Sequence, residues 1–342
     1  MRRKVRTSIK FGLLALLLFA AAAFAQDSQY RIRAKIDLVV VPVTVKAPGG
    51  ELATGLTQKD FVIYEDGRRQ TITNFTADPV PLSAAVVIDT GLMADALSKV
   101  QKTFPALAGA FAKEDEVAVY HFDKTVTRSL DFSANPEHIE AAMLKLRELK
   151  PDENPALAAN WRGPFANIGP VINGFPVLPP SLAGPPYTAP AKPPAKVLND
   201  AIFTAAADLG KRDHNRRKMI LVISDGINTG NDHSFDDASR ILTEMGIEVY
   251  AVALDQPWPY NKVSVLDDYA KVSGGDTYFV KSTQHLERAY ATATEEARNQ
   301  YVIGYISNNE VLGSGPAFRT ITVLADEGKL KVRSRRGYYA FP

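Results

Sequence analysis

Between residues 82 and 299, short apolar runs alternate with segments whose apolar residues recur every three or four positions. The apolar runs predict buried strands at 84–88, 116–122, 219–224, 247–253 and 276–280. The segments with helical spacing predict helices at about 97–111, 135–149, 197–210, 234–245, 263–272 and 283–298. Such alternation is typical of a doubly wound, mostly parallel sheet with helices on both faces, so we expect an α/β domain over 82–299.

The segments on either side of this region, 30–79 and 300–342, have β character. The first contains a β-rich run over 36–45 and a hairpin signal at Glu65-Asp66-Gly67. The second contains β-rich runs at 301–306, 318–324 and 330–334. Because either half alone would leave a hydrophobic sheet face uncovered, we predict that the two halves form one small split β-sandwich into which the α/β domain is inserted.

A proline-rich stretch at 151–195 interrupts the α/β pattern. It contains 12 prolines and no charged residue between Arg162 and Lys192. Proline at this density forbids helices and discourages strand pairing. Two interpretations stay open, a disordered or loosely packed surface segment and a defined binding loop, and the first is favoured.

The first 25 residues have the pattern of a secretory signal peptide. Arg2, Arg3 and Lys4 begin a basic segment, residues 11–24 are an unbroken apolar run, and Ala23-Phe24-Ala25 is a small-residue cleavage motif. The alternative is an uncleaved anchor, but the run is shorter than the ~20 residues that span a bilayer. We therefore expect an exported protein, periplasmic or secreted, without a stable membrane anchor after cleavage.

Composition narrows the chemistry that the chain can carry. The sequence has no cysteine, which excludes disulfides, thiolate metal ligands and a cysteine nucleophile. The net charge is +2 and the basic residues are not gathered into one segment, so nucleic acid is not an expected partner. No G-x-G-x-x-G or P-loop motif follows any predicted strand, so no nucleotide cofactor is expected.

Two aspartates follow predicted strands that belong to the same sheet. Asp89 ends the run 84–88, and Asp225 follows the run 219–224. In open α/β sheets, ligands bind at the carboxyl ends of the strands where the strand order reverses. Two carboxylates at neighbouring strand ends are candidate ligands for a hard cation, which prefers oxygen donors.

With these motifs in place, the chain resembles the von Willebrand factor A (vWA) superfamily, and most closely its bacterial "VWFA-related" family. The resemblance covers nearly the whole chain after the signal peptide. It rests on four motifs in the expected order: Tyr64-Glu65-Asp66-Gly67, Ile223-Ser224-Asp225-Gly226, Gln300-Tyr301-Val302-Ile303-Gly304-Tyr305 and Arg336-Gly337-Tyr338-Tyr339.

The resemblance implies a metal-ion-dependent adhesion site, but this chain departs from the family pattern. Asp89 and Asp225 match the first and last aspartates, with Thr90 and Gly226 beside them. Gly91 and Met93 stand at the two serine positions; if one residue has been lost, Leu92 replaces the second serine. The family's threonine position corresponds to Lys196.

Two hypotheses follow for these residues. One is a weak site for Mg²⁺ or another divalent cation, held by Asp89 and Asp225 and completed by water. The other is a lapsed site in which the ammonium of Lys196 neutralises both aspartates. A lysine beside a cation opposes it by about 4 kcal/mol per unit charge at ~4 Å and an effective dielectric constant of about 20, which favours the second.

Three functions stay open at this point. The favoured one is a non-enzymatic binding protein that recognises a protein or a surface polymer through the carboxyl-terminal edge of the sheet and the proline-rich loop. The second is a divalent-cation-dependent adhesion module. The third is a carboxylate-based hydrolase, because Asp89-Thr90-Gly91 resembles the aspartic-protease motif, although that chemistry needs two carboxyls that share a proton and an all-β setting.

Overall fold

The computed structural model describes residues 38–150, 171–172, 175–176, 196–254, 264–309 and 315–341. The expected signal peptide at 1–25 lies outside the described residues. So does most of the proline-rich stretch 151–195, where only a two-residue pairing between Val171–Ile172 and Phe175–Pro176 is described. No helix in the described part of the chain is long and apolar enough to cross a membrane.

The secondary structure follows the predicted succession of β, α/β and β regions. The strands are β1 (Leu38–Lys46), β2 (Phe61–Glu65), β3 (Arg68–Gln70), β4 (Ile72–Thr76), β5 (Leu82–Asp89), β6 (Glu116–Phe122), β7 (Val126–Ser133), β8 (Val171–Ile172), β9 (Phe175–Pro176), β10 (Arg217–Ser224), β11 (Glu248–Leu254), β12 (Thr277–Val280), β13 (Tyr301–Ile306), β14 (Ala317–Ala325), β15 (Lys331–Ser334) and β16 (Gly337–Ala340). The helices are α1 (Ala94–Lys102), α2 (Phe104–Gly109), α3 (Pro136–Arg147), α4 (Leu198–Gly210), α5 (Phe235–Met245), α6 (Ser264–Ser273) and α7 (Thr283–Arg298).

The central sheet has the strand order β12-β11-β10-β5-β6-β7. All neighbouring pairs are parallel except β6 and β7, which are antiparallel. Every residue of β5, β10 and β11 is buried. Continuous apolar burial of this kind arises because helices cover both faces of a parallel sheet.

Two helical layers enclose the central sheet. The helices α1, α2, α3 and α7 pack on one face, where they bury residues such as Leu97, Leu107 and Tyr290. The helices α4, α5 and α6 pack on the other face, where they bury residues such as Ile202, Leu242 and Leu266. This doubly wound arrangement confirms the predicted fold class.

The strands outside residues 82–298 form two four-stranded sheets, β15-β1-β13-β4 and β16-β14-β2-β3. In β1 the odd-numbered valines, from Val39 to Val45, are buried between these sheets together with Ile63, Ile303 and Val323. Each sheet combines strands from both ends of the described chain. The α/β region is therefore inserted into a split β-sandwich.

The even-numbered face of β1 meets the amino-terminal edge of the central sheet through buried polar contacts. Lys46 Nζ lies 2.7 Å from Asp276 Oδ2 and 2.5 Å from Glu296 Oε1. Gln300 Nε2 donates to Thr44 Oγ1 at 3.0 Å and to Glu248 Oε2 at 2.7 Å. These contacts attach the sandwich to the amino-terminal edge of the central sheet. The carboxyl-terminal edge is the opposite end of the sheet.

Candidate functional site

The candidate site lies where the strand order of the central sheet reverses. From β5 the chain proceeds to β6 on one side, whereas β10, the other neighbour of β5, leads to β11 on the opposite side. In open α/β sheets the loops after such strands diverge at this switch point, which is where ligands bind. Asp89 is the last residue of β5, and Asp225 follows β10.

The structure brings Asp89, Asp225 and Lys196 together at this switch point. Lys196 Nζ donates to Asp89 Oδ2 at 3.0 Å and to Asp225 Oδ2 at 2.8 Å. All three side chains are at most 3% exposed. One ammonium therefore bridges two carboxylates within the protein interior, and the three groups are called the Asp–Lys–Asp cluster below.

Further hydrogen bonds hold both carboxylates in place. Asp89 Oδ2 also accepts from Ser224 Oγ at 2.8 Å, and Asp89 Oδ1 accepts from the Gly91 amide at 3.0 Å. Asp225 Oδ1 accepts from the Ile227 amide at 2.9 Å. Because each carboxylate has donors on both oxygens, the cluster meets the requirement that buried charges be paired and hydrogen-bonded.

The backbone of Lys196 is fixed by the loop that follows β10. The Lys196 amide donates to Thr229 Oγ1 at 3.0 Å, and the Lys196 carbonyl accepts from the Thr229 amide at 2.7 Å. The next amide, that of Val197, donates to the Asp123 carbonyl at 2.9 Å. Lys196 is thus tied to two loops immediately before α4, which directs its side chain to the aspartates.

Polar contacts beside the cluster attach the loop after β10 to α4. Asn199 Oδ1 accepts from Asn228 Nδ2 and from the Tyr269 hydroxyl, both at 2.7 Å. The Asn199 amide donates to Asn231 Oδ1 at 2.9 Å. The side chains of the loop are therefore bonded to α4, and Asn199 of α4 is in turn bonded to Tyr269 of α6.

Electrostatics in the cluster combine strong burial with mutual attraction. Burial raises the pKa of Asp89 to about 6, because it outweighs the attraction of the Lys196 ammonium. Burial alone would lower the pKa of Lys196, but the attraction of Asp89 and Asp225 outweighs burial and raises that pKa overall. Lys196 is therefore charged at neutral pH.

The remaining predicted site residues lie around the cluster without joining it. The Thr90 amide and hydroxyl both donate to the Phe122 carbonyl, at 2.9 and 3.1 Å, which ties the end of β5 to β6. The Gly226 amide donates to Ser224 Oγ at 3.0 Å, with a φ of 74° that favours glycine. Met93 precedes α1 and its side chain faces solvent.

Gly91 is the predicted residue that most closely approaches the cluster. A Cβ at this position would lie 3.1 Å from Lys196 Cε and 3.4 Å from Asp89 Oδ1. A serine there would crowd the lysine side chain, which would have to shift by a few tenths of an ångström. The absence of a side chain at position 91 and the lysine at position 196 are therefore sterically complementary.

A divalent cation does not fit this arrangement as it stands. Lys196 Nζ occupies the space between the two carboxylates, where it would repel a cation. Within the part of the chain that the structure describes, no three His, Asp or Glu side chains converge in a way that could hold a metal. The positive charge between the two carboxylates is thus that of Lys196, a residue of the chain, and not that of a metal ion.

Sequence reasoning did not single out two residues that support the cluster. Ser224 donates to Asp89 from the neighbouring strand, and Thr229 holds the backbone of Lys196. Ser224 stands beside Asp225 in the motif Ile223-Ser224-Asp225-Gly226, so its position at the end of a predicted strand could have indicated a role beside the aspartates. Thr229 gave no such signal, because its partner is 33 residues away along the chain.

Comparisons with known proteins find distant structural likeness only. The chain is similar to BatB from Bacteroides thetaiotaomicron at 15% identity, over 63% of this chain and 98% of that chain, with a TM-score of 0.42. It is similar to the SpRpn10 VWA domain at 10% identity, over 61% and 94% of the two chains, with a TM-score of 0.38.

A third similar structure is proximal thread matrix protein 1 from the mussel byssus, in which zinc occupies the metal-ion-dependent adhesion site (MIDAS) motif. Its identity to this chain is 14% and its TM-score is 0.44, over 68% of this chain and 49% of that chain. No family profile matches the sequence, and no curated protein gives a significant match. At such low identity the likeness is one of chain trace.

Proposed function

We propose that the chain is an exported, non-enzymatic binding protein of the vWA superfamily in which a lysine replaces the metal ion. One observation carries this proposal: Lys196 Nζ lies 3.0 Å from Asp89 Oδ2 and 2.8 Å from Asp225 Oδ2, at the switch point of the sheet. This is the position at which α/β folds of this kind bind ligands.

The charge balance of the cluster supports independence from metal. The ammonium contributes one positive charge toward two carboxylates, and burial favours protonation of Asp89. A divalent cation would have to displace a lysine whose own pKa is raised by the same carboxylates. Neither Gly91 nor Met93 offers a side-chain oxygen to replace the ligands that a hard cation requires.

The contacts of the two aspartates also argue against the hydrolase alternative. In an acid pair that shares a proton, the two carboxyls contact each other directly. Here the Oδ2 atoms of both aspartates accept hydrogen bonds from the same ammonium. All three groups are buried, so an incoming substrate would not reach them. This arrangement supports a structural role for the cluster rather than a catalytic one.

The proposed binding surface is the carboxyl-terminal edge around the buried cluster, and the proposed partner is a protein or a surface polymer. At this edge the Met93 side chain is 39% exposed directly after the first site loop. Flexible, polarizable methionine side chains are frequent at binding surfaces. The cluster beneath holds the loops that present this surface.

Calorimetric titration of the purified protein with Mg²⁺ and Mn²⁺ tests the metal-independent part of the proposal. We expect no saturable heat in either titration. Saturable binding with a Kd tighter than about 1 mM, a range typical of extracellular cation modules, would contradict the proposal and favour the cation-dependent adhesion module.

Two variants at position 196 test whether the lysine is what excludes the cation. Lys196→Thr supplies the oxygen ligand that the resemblance implies at this position, whereas Lys196→Met removes the charge without adding an oxygen. We expect Mn²⁺ to bind Lys196→Thr more tightly than Lys196→Met, and not to bind the wild type. Equal Mn²⁺ binding by all three proteins would refute the role given to Lys196.

Site-specific photo-crosslinking in intact cells tests the proposed binding surface. A photoreactive side chain at Met93 should give a covalent adduct with a discrete partner, because this edge faces the ligand. The matched control is Leu144, whose side chain is 60% exposed on α3. Adducts of equal yield at both positions, or at Leu144 alone, would show that the carboxyl-terminal edge is not the binding surface.

A further inference from the structure

A cavity lies at the end of the central sheet opposite to the Asp–Lys–Asp cluster, where the sandwich meets the α/β region. Its volume is about 320 Å³, and it is called the junction cleft below. The lining includes Arg217 and Glu248, which begin β10 and β11, together with Arg335, Val40, Pro42 and Val302. Along β10, the cleft is roughly 25 Å from the Asp–Lys–Asp cluster at 3.3 Å per residue.

Two guanidinium groups of the cleft retain unused hydrogen-bond donors. Arg217 is buried, and its Nη1 donates to Gln300 Oε1. Arg335 Nη2 donates to the Val40 carbonyl at 2.8 Å, whereas the buried Arg335 Nε has no hydrogen-bond partner among the described residues. Neither arginine forms an ion pair in the described part of the chain. A guanidinium has five N–H donors, so most of them are free to meet a ligand.

The one acidic residue among those that line the cleft is already engaged by neutral donors. Glu248 Oε2 accepts from Gln300 Nε2 at 2.7 Å and from the Tyr250 hydroxyl at 3.1 Å. Arg217, Arg335 and ionised Glu248 together leave a surplus of positive charge, and Lys218, which donates to the neutral Gly210 carbonyl, adds to it. A buried charge that lacks a partner costs several kcal/mol, so this surplus favours an anion in the cleft.

The other basic residues of the lining are held by different groups. Lys218 Nζ donates to the Gly210 carbonyl at 3.3 Å. Arg216 donates to Ser83 Oγ and to the Leu82 carbonyl, and lies 3.7 Å from Glu116. His214 is exposed. Arg217 and Arg335 are therefore the guanidinium groups of the cleft with donors left for an anion, and Lys218 adds a positive charge to the same lining.

Much of the remaining lining of the cleft is apolar, although Asn215, Thr243 and Ser273 also belong to it. Val40 and Pro42 from β1, Val302 from β13, and Val80 and Leu242 contribute aliphatic surface to the same cleft as the two arginines. A cavity of this volume stands at the lower end of the range for small-molecule sites, which combine apolar walls with a few placed polar groups. A ligand with one anionic end and an apolar body satisfies both parts of the lining.

We propose that the junction cleft binds a small organic monocarboxylate, with its carboxylate on Arg217 and Arg335 and its apolar chain against Val40, Pro42 and Val302. Carboxylates accept paired hydrogen bonds from guanidinium groups. A monocarboxylate with an aliphatic chain covers the apolar lining as well as meeting the guanidinium groups, whereas inorganic phosphate would leave that lining uncovered.

Calorimetric titration of the full chain with hexanoate tests this proposal. We expect hexanoate to bind with a Kd of roughly 1 mM or tighter, and to raise the thermal midpoint of unfolding because it binds the folded state. Hexanamide, which has the same shape without the charge, should bind at least about tenfold more weakly. Inorganic phosphate should bind more weakly than hexanoate.

Two variants and one matched control locate the site. Arg335→Gln should weaken hexanoate binding at least about tenfold. The control Arg336→Gln removes the same charge from the adjacent exposed residue, and should change the affinity less than about twofold. Val302→Phe should block the apolar part of the cleft and abolish binding while circular dichroism shows a folded protein, so a failure of Arg335→Gln to fold would still leave a decisive variant.

The outcomes that would overturn the proposal are equally specific. Absence of hexanoate binding by the folded wild type would refute it. Equal affinity for hexanoate and hexanamide would show that the arginines do not select a carboxylate. Tighter binding of phosphate than of hexanoate would exclude the monocarboxylate class, and unchanged binding by Val302→Phe would place the ligand elsewhere.

Discussion

At the scale of single residues, this protein has placed opposite charges in its interior at both ends of one sheet. At the carboxyl-terminal edge, Lys196 bridges Asp89 and Asp225, so that every buried charge has a partner. At the amino-terminal edge, Glu248 accepts from neutral groups while Arg217 forms no ion pair among the described residues. In the first set each charged group has an oppositely charged partner, whereas in the second Arg217 and Glu248 form no ion pair with each other.

The packing of Gly91 against Lys196 leads to a prediction about coupling between the two positions. Gly91→Ser places a Cβ 3.1 Å from Lys196 Cε, which two ion pairs hold in place. We expect Gly91→Ser to lower the free energy of unfolding by about 1–2 kcal/mol, as overpacking does. In a Lys196→Thr background the cost should be smaller, and urea unfolding of the four proteins measures the coupling.

Additive effects of the two substitutions would contradict this prediction, since residues in contact are expected to couple. The Cβ added at position 91 would also lie 3.4 Å from the Cβ of Asp123. This second contact is the same whether residue 196 is lysine or threonine, so it serves as the internal reference. A smaller cost in the double variant is therefore attributable to the lysine.

The raised pKa of Glu248 leads to a prediction about pH. Burial raises this pKa from 4.5 to about 7, because it outweighs the attraction of Arg217 and the hydrogen bond from Gln300. Between pH 4.5 and pH 7, Glu248 is therefore protonated in the folded protein but ionised in the unfolded chain. Its stabilising effect is complete below pH 4.5 and disappears as the pH rises through 7.

Comparison with Glu248→Gln isolates this effect from the other titrating groups. Relative to Glu248→Gln, the wild type should lose about 3 kcal/mol of stability between pH 4.5 and pH 8, at 1.36 kcal/mol per pKa unit. Urea unfolding of both proteins at several pH values measures the difference. Parallel stability curves would show that Glu248 titrates normally in the folded state.

At the scale of secondary structure elements, the sequence patterns predicted the type and order of the helices and strands better than the breaks within them. The predicted bounds of β6, α7 and β13 agree with the structure, because their hydrophobic patterns are strong. The helix predicted at 97–111 is divided at Thr103 into α1 and α2. Pro105 stands in the first turn of α2 and has no amide to donate, so the helix restarts there.

The edge strand β7 was missed because its residues are only partly buried and lack strict alternation. Its antiparallel pairing with β6 includes two register irregularities. Pairing partners, unlike periodicity, depend on the whole sheet. The strand ends that carry Asp89 and Asp225 were predictable from the same buried runs, whereas the position of Lys196 followed only from a family resemblance.

The turn after α6 leads to a prediction at this scale. Gly274 has a φ of 98°, and a Cβ there would lie 2.5 Å from the Arg335 backbone amide nitrogen. We expect Gly274→Ala to lower the free energy of unfolding by about 3 kcal/mol or more, from backbone strain and the clash together. The matched control is Gly109→Ala at the end of α2, where nothing lies within 4 Å of the added Cβ.

Gly109→Ala should be neutral or stabilise the protein by about 0.5–1 kcal/mol, because alanine favours helix. Thermal and urea unfolding of both variants make the comparison. A tolerated Gly274→Ala would mean that the tail after β15 does not press against the end of α6 in solution.

At the scale of the whole molecule, two cores are joined by polar contacts that cross most of the sequence. The contact between Thr44 and Gln300 joins residues 256 positions apart, and Lys46 reaches Glu296. No local pattern reveals such partners, which is why the sequence predicted the split sandwich but not its junction with the α/β region. The two chain segments that link the sandwich to the α/β region, between β4 and β5 and between α7 and β13, lie at the amino-terminal edge of the sheet.

This architecture predicts that the sandwich and the α/β region unfold together. Calorimetry should show one transition with equal calorimetric and van't Hoff enthalpies. Lys46→Met removes the partner of buried Glu296 and should lower the free energy of unfolding by about 3 kcal/mol. The control Lys331→Met, on the exposed cross-strand neighbour of Lys46, should change it by less than about 0.5 kcal/mol.

Two separated transitions in the wild type would contradict the prediction, because the junction would then not couple the two cores. Equal destabilisation by Lys46→Met and Lys331→Met would show that the effect is one of net charge rather than of the buried contacts.

The lysine between Asp89 and Asp225 also changes how this protein depends on its surroundings. A bound ion is in exchange with the medium, so dilution or a chelator empties its site. An ammonium attached to the backbone has no such equilibrium, and its local concentration is the same in any medium. The proposed export would bring the protein into media of variable metal content, and in each of them the positive charge of Lys196 stays attached to the chain.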